Sequence, residues 1–188
     1  CGIPYKNPGD EVREWDRRQG NASLRIEAGS AIDPSTGDFK RLGLPYGEKP
    51  RLVLIYLATE AVRTGTPVID VEDSMTAFAK SLGIDTNGKQ LRSFKEQLAR
   101  LAAATVRIGV VEEGRAVQVN TQFVSAFDLW FPEQPDQRVL WPSSVRLSDE
   151  YYQSLGQHAV PLDDRAVAAL SSSSMALDIY VWLAQRLH

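Results

Sequence analysis

Residues 81–101 read SLGIDTNGKQLRSFKEQLARL. The stretch begins at the end of one amphipathic helix, since Met75, Phe78, Ala79 and Leu82 recur at i, i+3, i+4 and i+7. Asp73 or Ser74 can cap that helix, and Gly83 is placed to supply a left-handed turn at its end. After a short polar turn the spacing predicts a further helix from about Gly88 to Ala103, with Leu91, Phe94, Leu98 and Leu101 as its buried stripe. At 100° per residue, Lys89, Ser93, Glu96 and Arg100 lie opposite that stripe, with Arg92 beside them. Between Gly88 and Ile108 there are five basic residues (Lys89, Arg92, Lys95, Arg100, Arg107) against one acid, Glu96, on a chain whose net charge is −3. A local basic patch on an acidic body suits a focused electrostatic contact. It is also what a merely solvated helix face carries, and Glu96 in its middle repels phosphate.

The elements on either side narrow the choice. Upstream, Pro50 opens a helix, PRLVLIYLATEAVR, that is apolar on two faces and so must be covered on both. Gly65 ends it, and TPVIDV (66–71) reads as a short strand. Downstream, TVRIGVV and AVQVNTQFV flank EEGR and read as a β-hairpin. Helix, strand, helix, turn, helix, hairpin is the order of a winged helix-turn-helix, an α+β fold. In such a fold the second helix of the pair lies in the major groove. Lys89, Arg92, Ser93 and Arg100 are therefore the expected DNA contacts, with Gln90, Lys95 and Arg107 secondary; Lys95 points close to the buried stripe. The Glu112-Glu113 hairpin tip is acidic and reads as a solvated turn rather than a DNA contact.

The flanks are simpler. Residues 1–21, with Pro4, Pro8, Gly9 and Gly20, read as an irregular arm; ASLRIEAG (22–29) alternates like a strand; and the segment up to Lys49 reads as turns and loop. LWFPEQPDQ (129–137) is a Pro-rich connection. Ser148 can cap a helix holding Tyr151, Tyr152 and Leu155. A short helix follows from about Asp163, and SSSS (171–174) leads into a last helix, SMALDIYVWLAQRLH. LVLIYLATEAV (52–62) and ALDIYVWLAQR (176–186) share an Ile-Tyr pair, the mark of a true repeat or of two amphipathic helices matching by chance. The expected division is an N-terminal arm with a short strand over 1–45, a first winged helix with extra strands and helices over 46–170, and a linker with the opening helix of a second winged helix over 171–188.

Several functions are not expected. Cys1 is the single cysteine, which excludes an intramolecular disulfide and a cysteine zinc site and suits a reducing cytoplasm. No apolar run approaches membrane-spanning length, and the polar, Pro/Gly-rich N-terminus has no signal-peptide pattern. There are two histidines, His158 and His188, and no motif places a Ser and an Asp with either. No HExxH, phosphate loop or metal-ligand spacing occurs. Tyr151-Tyr152 lacks the histidine cluster that a DNA-nicking tyrosine pair needs, and DTNGK (85–89) lacks the downstream ligands of a calcium loop. Trp130, Trp141 and Trp182 read as core or interface residues. No catalysis, metal or cofactor is expected.

Separate segments in one order also carry a resemblance. They are GLPYG (43–47) with Pro50-Arg51-Leu52, TEAVRT (59–64), Phe78 with Leu82-Gly83, QLARL (97–101), PDQ (135–137), SDEYY (148–152), VPLD (160–163) and ALDIYVWLAQRL (176–187). From about Ser23 onward the chain resembles the plasmid-encoded RepA family of replication initiators. The resemblance implies a cytoplasmic, non-enzymatic protein that binds repeated sites (iterons) in double-stranded plasmid origin DNA and helps open the duplex. It also implies recruitment of host replication proteins, a helicase and the host initiator, and monomer and dimer forms that control copy number. Related initiators hold two winged helices, the first often contributing backbone contacts and the dimer interface, the second often reading the bases. The internal echo then marks the start of that second unit.

Overall fold

A computed structural model describes residues 2–33, 36–112, 115–126 and 144–187. In chain order the elements are β1 (Glu14–Gln19), β2 (Ala22–Glu27), β3 (Ser30–Ile32), β4 (Phe39–Arg41), α1 (Glu48–Thr64), β5 (Val68–Asp70), α2 (Met75–Ser81), α3 (Gly88–Ala103), β6 (Thr105–Glu112), β7 (Arg115–Gln122), β8 (Val124–Ala126), β9 (Ser144–Leu147), α4 (Asp149–His158), α5 (Asp164–Leu170) and α6 (Ser174–Leu187). The fold is α+β with antiparallel sheets. One sheet has the order β1-β2-β6-β7, a second β5-β9-β8, and β3 and β4 form a two-stranded ribbon.

The local signals around α2 and α3 act as the residue types dictate. Ser74 accepts a hydrogen bond from the Ala77 N–H at 3.1 Å, and Asn87 accepts one from the Gln90 N–H at 3.0 Å. Each such cap stabilises its helix by about 1 kcal/mol. Gly83 turns the chain at φ 72°, a region that costs L-residues steric energy. Phe78 and Ala79 from α2, Leu82 at its C-terminal end, and Phe94, Leu98 and Leu101 from α3 are buried together. Tyr56, Phe78 and Phe94 form a ring series, 5.3 and 5.8 Å between centroids, that joins α1 to both helices.

One face of α1 is covered throughout and the other only in part: on the face of Leu52, Ile55, Tyr56, Thr59 and Val62, Ile55 and Tyr56 are half-buried and Thr59 and Val62 are exposed, so the expectation of full cover on both faces is corrected. Leu52, Val53, Leu54, Leu57 and Ala61 are buried, and the helix packs on α3 and β5 as well as on α4 and α6. It starts at Glu48, two residues before Pro50. Pro50 is still in the first turn, where its missing N–H leaves no intrahelical bond unmade.

Two expectations for the N-terminal region are corrected. Residues 1–21 contain β1, an edge strand joined to β2 by the two-residue Gly20-Asn21 turn. Gly20, with φ 60°, is the turn residue of a hairpin and not a breaker of an arm. Arg25 on β2 ties the pair together, reaching Glu14 at 2.9 Å and Asp16 at 2.7 Å on β1. The segment 30–49 is not all loop, since it holds the β3–β4 ribbon. Gly29, just before that ribbon, passes so close to α3 that a Cβ there would lie 1.9 Å from the Ala103 carbonyl oxygen. The chain is thereby pressed against the C-terminal end of α3.

The Leu129–Gln137 connection, Trp130, Trp141, the Pro135–Gln137 segment, Glu113 at the hairpin tip, Cys1 and His188 lie outside the described residues.

Candidate nucleic-acid interface

The outer side of α3 is divided. Over its C-terminal half it is covered by the β3–β4 ribbon. Lys95, Glu96 and Ala99 face Ala31, Ile32 and Lys40 across a groove of about 380 Å³, and Arg92, at the edge of the open half, lines its rim. Ala99 is 3% exposed. The N-terminal half stays open, and there Lys89 and Arg92 are exposed. Neither has a carboxylate partner among the described residues. Lys40 and Arg41 of the ribbon are exposed cations near the same helix. Lys95 is half-buried, and burial pushes its ammonium below the ordinary lysine value.

Arg100 is corrected. Helical periodicity puts it on the outer face, yet it is 7% exposed. Its guanidinium donates to Asp10 at 3.0 Å, to Glu96 one turn back and to the Leu44 carbonyl at 3.2 Å, and it stands 5.5 Å from the Tyr46 ring centre. Gly43 makes room for it: a Cβ there would lie 2.2 Å from Nη1. The chain on either side of Gly43 and the preceding arm wrap this end of α3, so the buried arc is wider than the apolar stripe. Arg107, on β6, donates to Glu27 of the neighbouring β2 at 2.9 Å, an exposed ion pair worth little to stability.

Gln90 and Ser93 sit on the open half, and both are engaged from below. Lys49, in the first turn of α1, donates to Gln90 Oε1 at 2.8 Å and to Ser93 Oγ at 2.9 Å. It is 8% exposed, and burial pushes its ammonium below the ordinary value. Sequence reasoning missed Lys49 because it lies 41 residues from Gln90. The one local signal was a lysine inside the first turn of an apolar helix, in EKPRL.

Arg51 was missed as well. It is fully buried. Nε and Nη2 donate to the two carboxylate oxygens of Asp178 at 3.0 and 2.9 Å, Nη1 donates to the Pro4 and Gly47 carbonyls, and Nη2 donates also to Ile3. The Tyr5 ring lies 4.9 Å from its carbon. One side chain therefore holds the N-terminal segment, the start of α1 and the N-terminal half of α6. Among the described residues no group of three or more His, Cys, Asp or Glu could hold a metal ion, and no helix is long and apolar enough to cross a membrane.

The model of the plasmid-encoded RepA protein family matches residues 44–188, which include α1, α2, the basic helix and α6. The chain belongs to the plasmid-encoded RepA family. Two solved structures of domains 2 and 3 of RctB share its fold. The selenomethionine derivative superposes with a TM-score of 0.62 at 10% identity, covering 100% of this chain and 71% of that one. The second gives a TM-score of 0.56 at 10% identity, covering 88% of this chain and 62% of that one, less than two thirds of its length. No curated protein matches the chain by sequence. The RepA match begins at Leu44, so the β3–β4 ribbon precedes the matched span, whereas Lys49, Arg51 and Asp178 lie inside it.

Proposed function

We propose that this chain is the DNA-contacting and self-associating part of a plasmid replication initiator. It binds direct repeats (iterons) in double-stranded origin DNA, helps open the origin and recruits host replication proteins, a helicase and the host initiator. The observation that carries this is the RepA family match together with the open, unpaired cations at the N-terminal half of α3. The run from α1 to β7 is read as a winged helix, with α3 as the helix facing the major groove and Lys89 and Arg92 as its primary contacts. Residues near the start of such a helix are the ones that reach base edges, which agrees with the half left open. The reading is of a cytoplasmic protein with no catalysis, metal or cofactor of its own.

The domain reading extends to α6. Leu177 is fully buried against the first unit while Ile179, Trp182 and Leu183 are about half exposed. By its echo of α1, α6 is read as the opening helix of a second winged helix, whose remaining elements would cover that face.

The test is binding to direct-repeat and scrambled duplexes over a salt series, read by fluorescence anisotropy. A steep fall of affinity with salt, with a preference for the repeats, is expected. Tighter binding to a palindromic duplex, added to the same series, would instead indicate a transcriptional regulator. A well-folded chain that binds none of these duplexes at low salt would remove the DNA role.

A second reading, dimerisation by the same unit, has its own observation. β7 is an edge strand of its sheet. The β6–β7 pairs Ile108↔Val119 and Val110↔Val117 put apolar side chains on one face, and Ile108, Val117 and Val119 are exposed. Edge strands with such faces tend to pair with another chain. Val117→Lys with Val119→Lys is expected to shift a dimer to monomer in sedimentation without loss of DNA affinity per protomer. An unchanged sedimentation profile would place any dimer elsewhere.

A further inference from the structure

We infer that Lys49 makes the open half of α3 a donor-only edge, which selects guanine and rejects adenine at the base that Gln90 meets. This inference rests on the DNA-contacting reading of α3 and specifies what that helix reads.

The argument is one of hydrogen-bond inventory. A glutamine amide has an acceptor end and a donor end, and presenting both at once lets it read adenine, whose major-groove edge offers N7 as acceptor and N6–H as donor. Gln90 cannot do this. A lysine ammonium only donates, so the 2.8 Å contact from Lys49 Nζ fixes the Gln90 oxygen, not its nitrogen, on the Lys49 side. Because Lys49 is buried beneath the helix, Oε1 is committed to it, while Nε2, the other terminal atom of the planar amide, has no hydrogen-bond partner among the described residues. The remaining lone pair of Oε1 stands beside a positive charge, which disfavours any approaching N–H.

Ser93 is set in the same way. Its hydroxyl oxygen accepts from Lys49 at 2.9 Å; of the two groups left, the proton is free to donate, while the second lone pair stands beside the Lys49 charge, as the one on Gln90 does. Lys89 and Arg92, the exposed neighbours on this half, have no acceptor at all. The open half of α3 thus carries two cations, an amide NH₂ and a hydroxyl proton. Its matching base edge is one of acceptors only, and guanine, with N7 and O6, is the base that supplies two. Lys49 acts here through Gln90 and Ser93 and is a positioning residue.

The test is selection of bound sequences from a randomised duplex pool by the whole chain, compared between wild type and Lys49 variants. For wild type, guanine is expected to exceed adenine about tenfold at one or more positions that lose their preference in Gln90→Ala, the size of discrimination a good base contact gives. Lys49→Met releases Oε1 and is expected to shift the same positions toward adenine. Lys49→Arg, which keeps a donor under the amide, is expected to keep guanine. Circular dichroism melts show whether the variants are folded, and the Gln90 and Ser93 side chains, belonging to half-buried residues, can turn to water. Adenine enrichment by wild type, or the same selected bases with Lys49→Met, overturns the inference. Selection of no base preference, with binding still dependent on Lys89 and Arg92, overturns it and leaves the DNA-contacting reading standing. Absence of any duplex binding overturns both.

Discussion

Arg51→Ala is expected to destabilise the fold by about 3–5 kcal/mol, the cost of removing one partner from a buried ion pair. The side chain is fully buried and donates to three backbone carbonyls as well as to Asp178. Truncation leaves these acceptors in a site sized for a guanidinium, and it detaches α6 from α1. The loss should appear as a lower urea midpoint. Arg51→Lys should recover little, because an ammonium cannot span the two carboxylate oxygens and the three carbonyls with a planar fork. A variant as stable as wild type would mean that the N-terminal segment and α6 are held by their apolar contacts alone.

The same pair sets an acid limit. Burial alone raises the Asp178 carboxyl, but the hydrogen bond and charge of Arg51 are among the effects that outweigh it, and the net shift is below the ordinary aspartate value of 3.8. A carboxyl with a depressed folded-state value stabilises the fold fully above its unfolded value and loses that stabilisation as pH falls through the folded one. Stability should therefore hold down to about pH 4 and then decline. In Asp178→Asn the decline from this group should vanish, as melts across the acid range would reveal.

The largest functional effect is expected from Lys89→Ala combined with Arg92→Ala. If both contact phosphate, the slope of log affinity against log salt should become shallower by about 2. If Arg92 also reads a base, the double variant should in addition lose about 1–3 kcal/mol of discrimination at that position. Both side chains are exposed, so thermal stability should stay close to wild type. Arg100→Ala offers the contrast: with its guanidinium buried among Asp10, Glu96 and the Leu44 carbonyl, it should lower stability first. Titration of the double variant over the salt series decides the matter. An unchanged slope would move the interface off this helix.

What the sequence by itself determined is what local patterns encode. Asp73 or Ser74 as cap, Gly83 as the turn, and the Phe94, Leu98 and Leu101 stripe located α2 and α3, Ser74 being the cap that forms. The alternation after Thr105 located β6 and β7, and the spaced RepA-like segments led to the family. These signals have a range of a few residues, or depend only on residue order. The tertiary structure decided which charged side chains remain outside. Helical periodicity assigned Arg100 to solvent because it counts only neighbours on the same helix, and Asp10 and the Leu44 carbonyl arrive from 90 and 56 residues away. Lys49 reaches Gln90 and Ser93 from another helix, and Arg51 meets Asp178 across 127 residues. A charged residue is buried only when other groups supply its hydrogen bonds, and no local periodicity records which distant groups will complete the set.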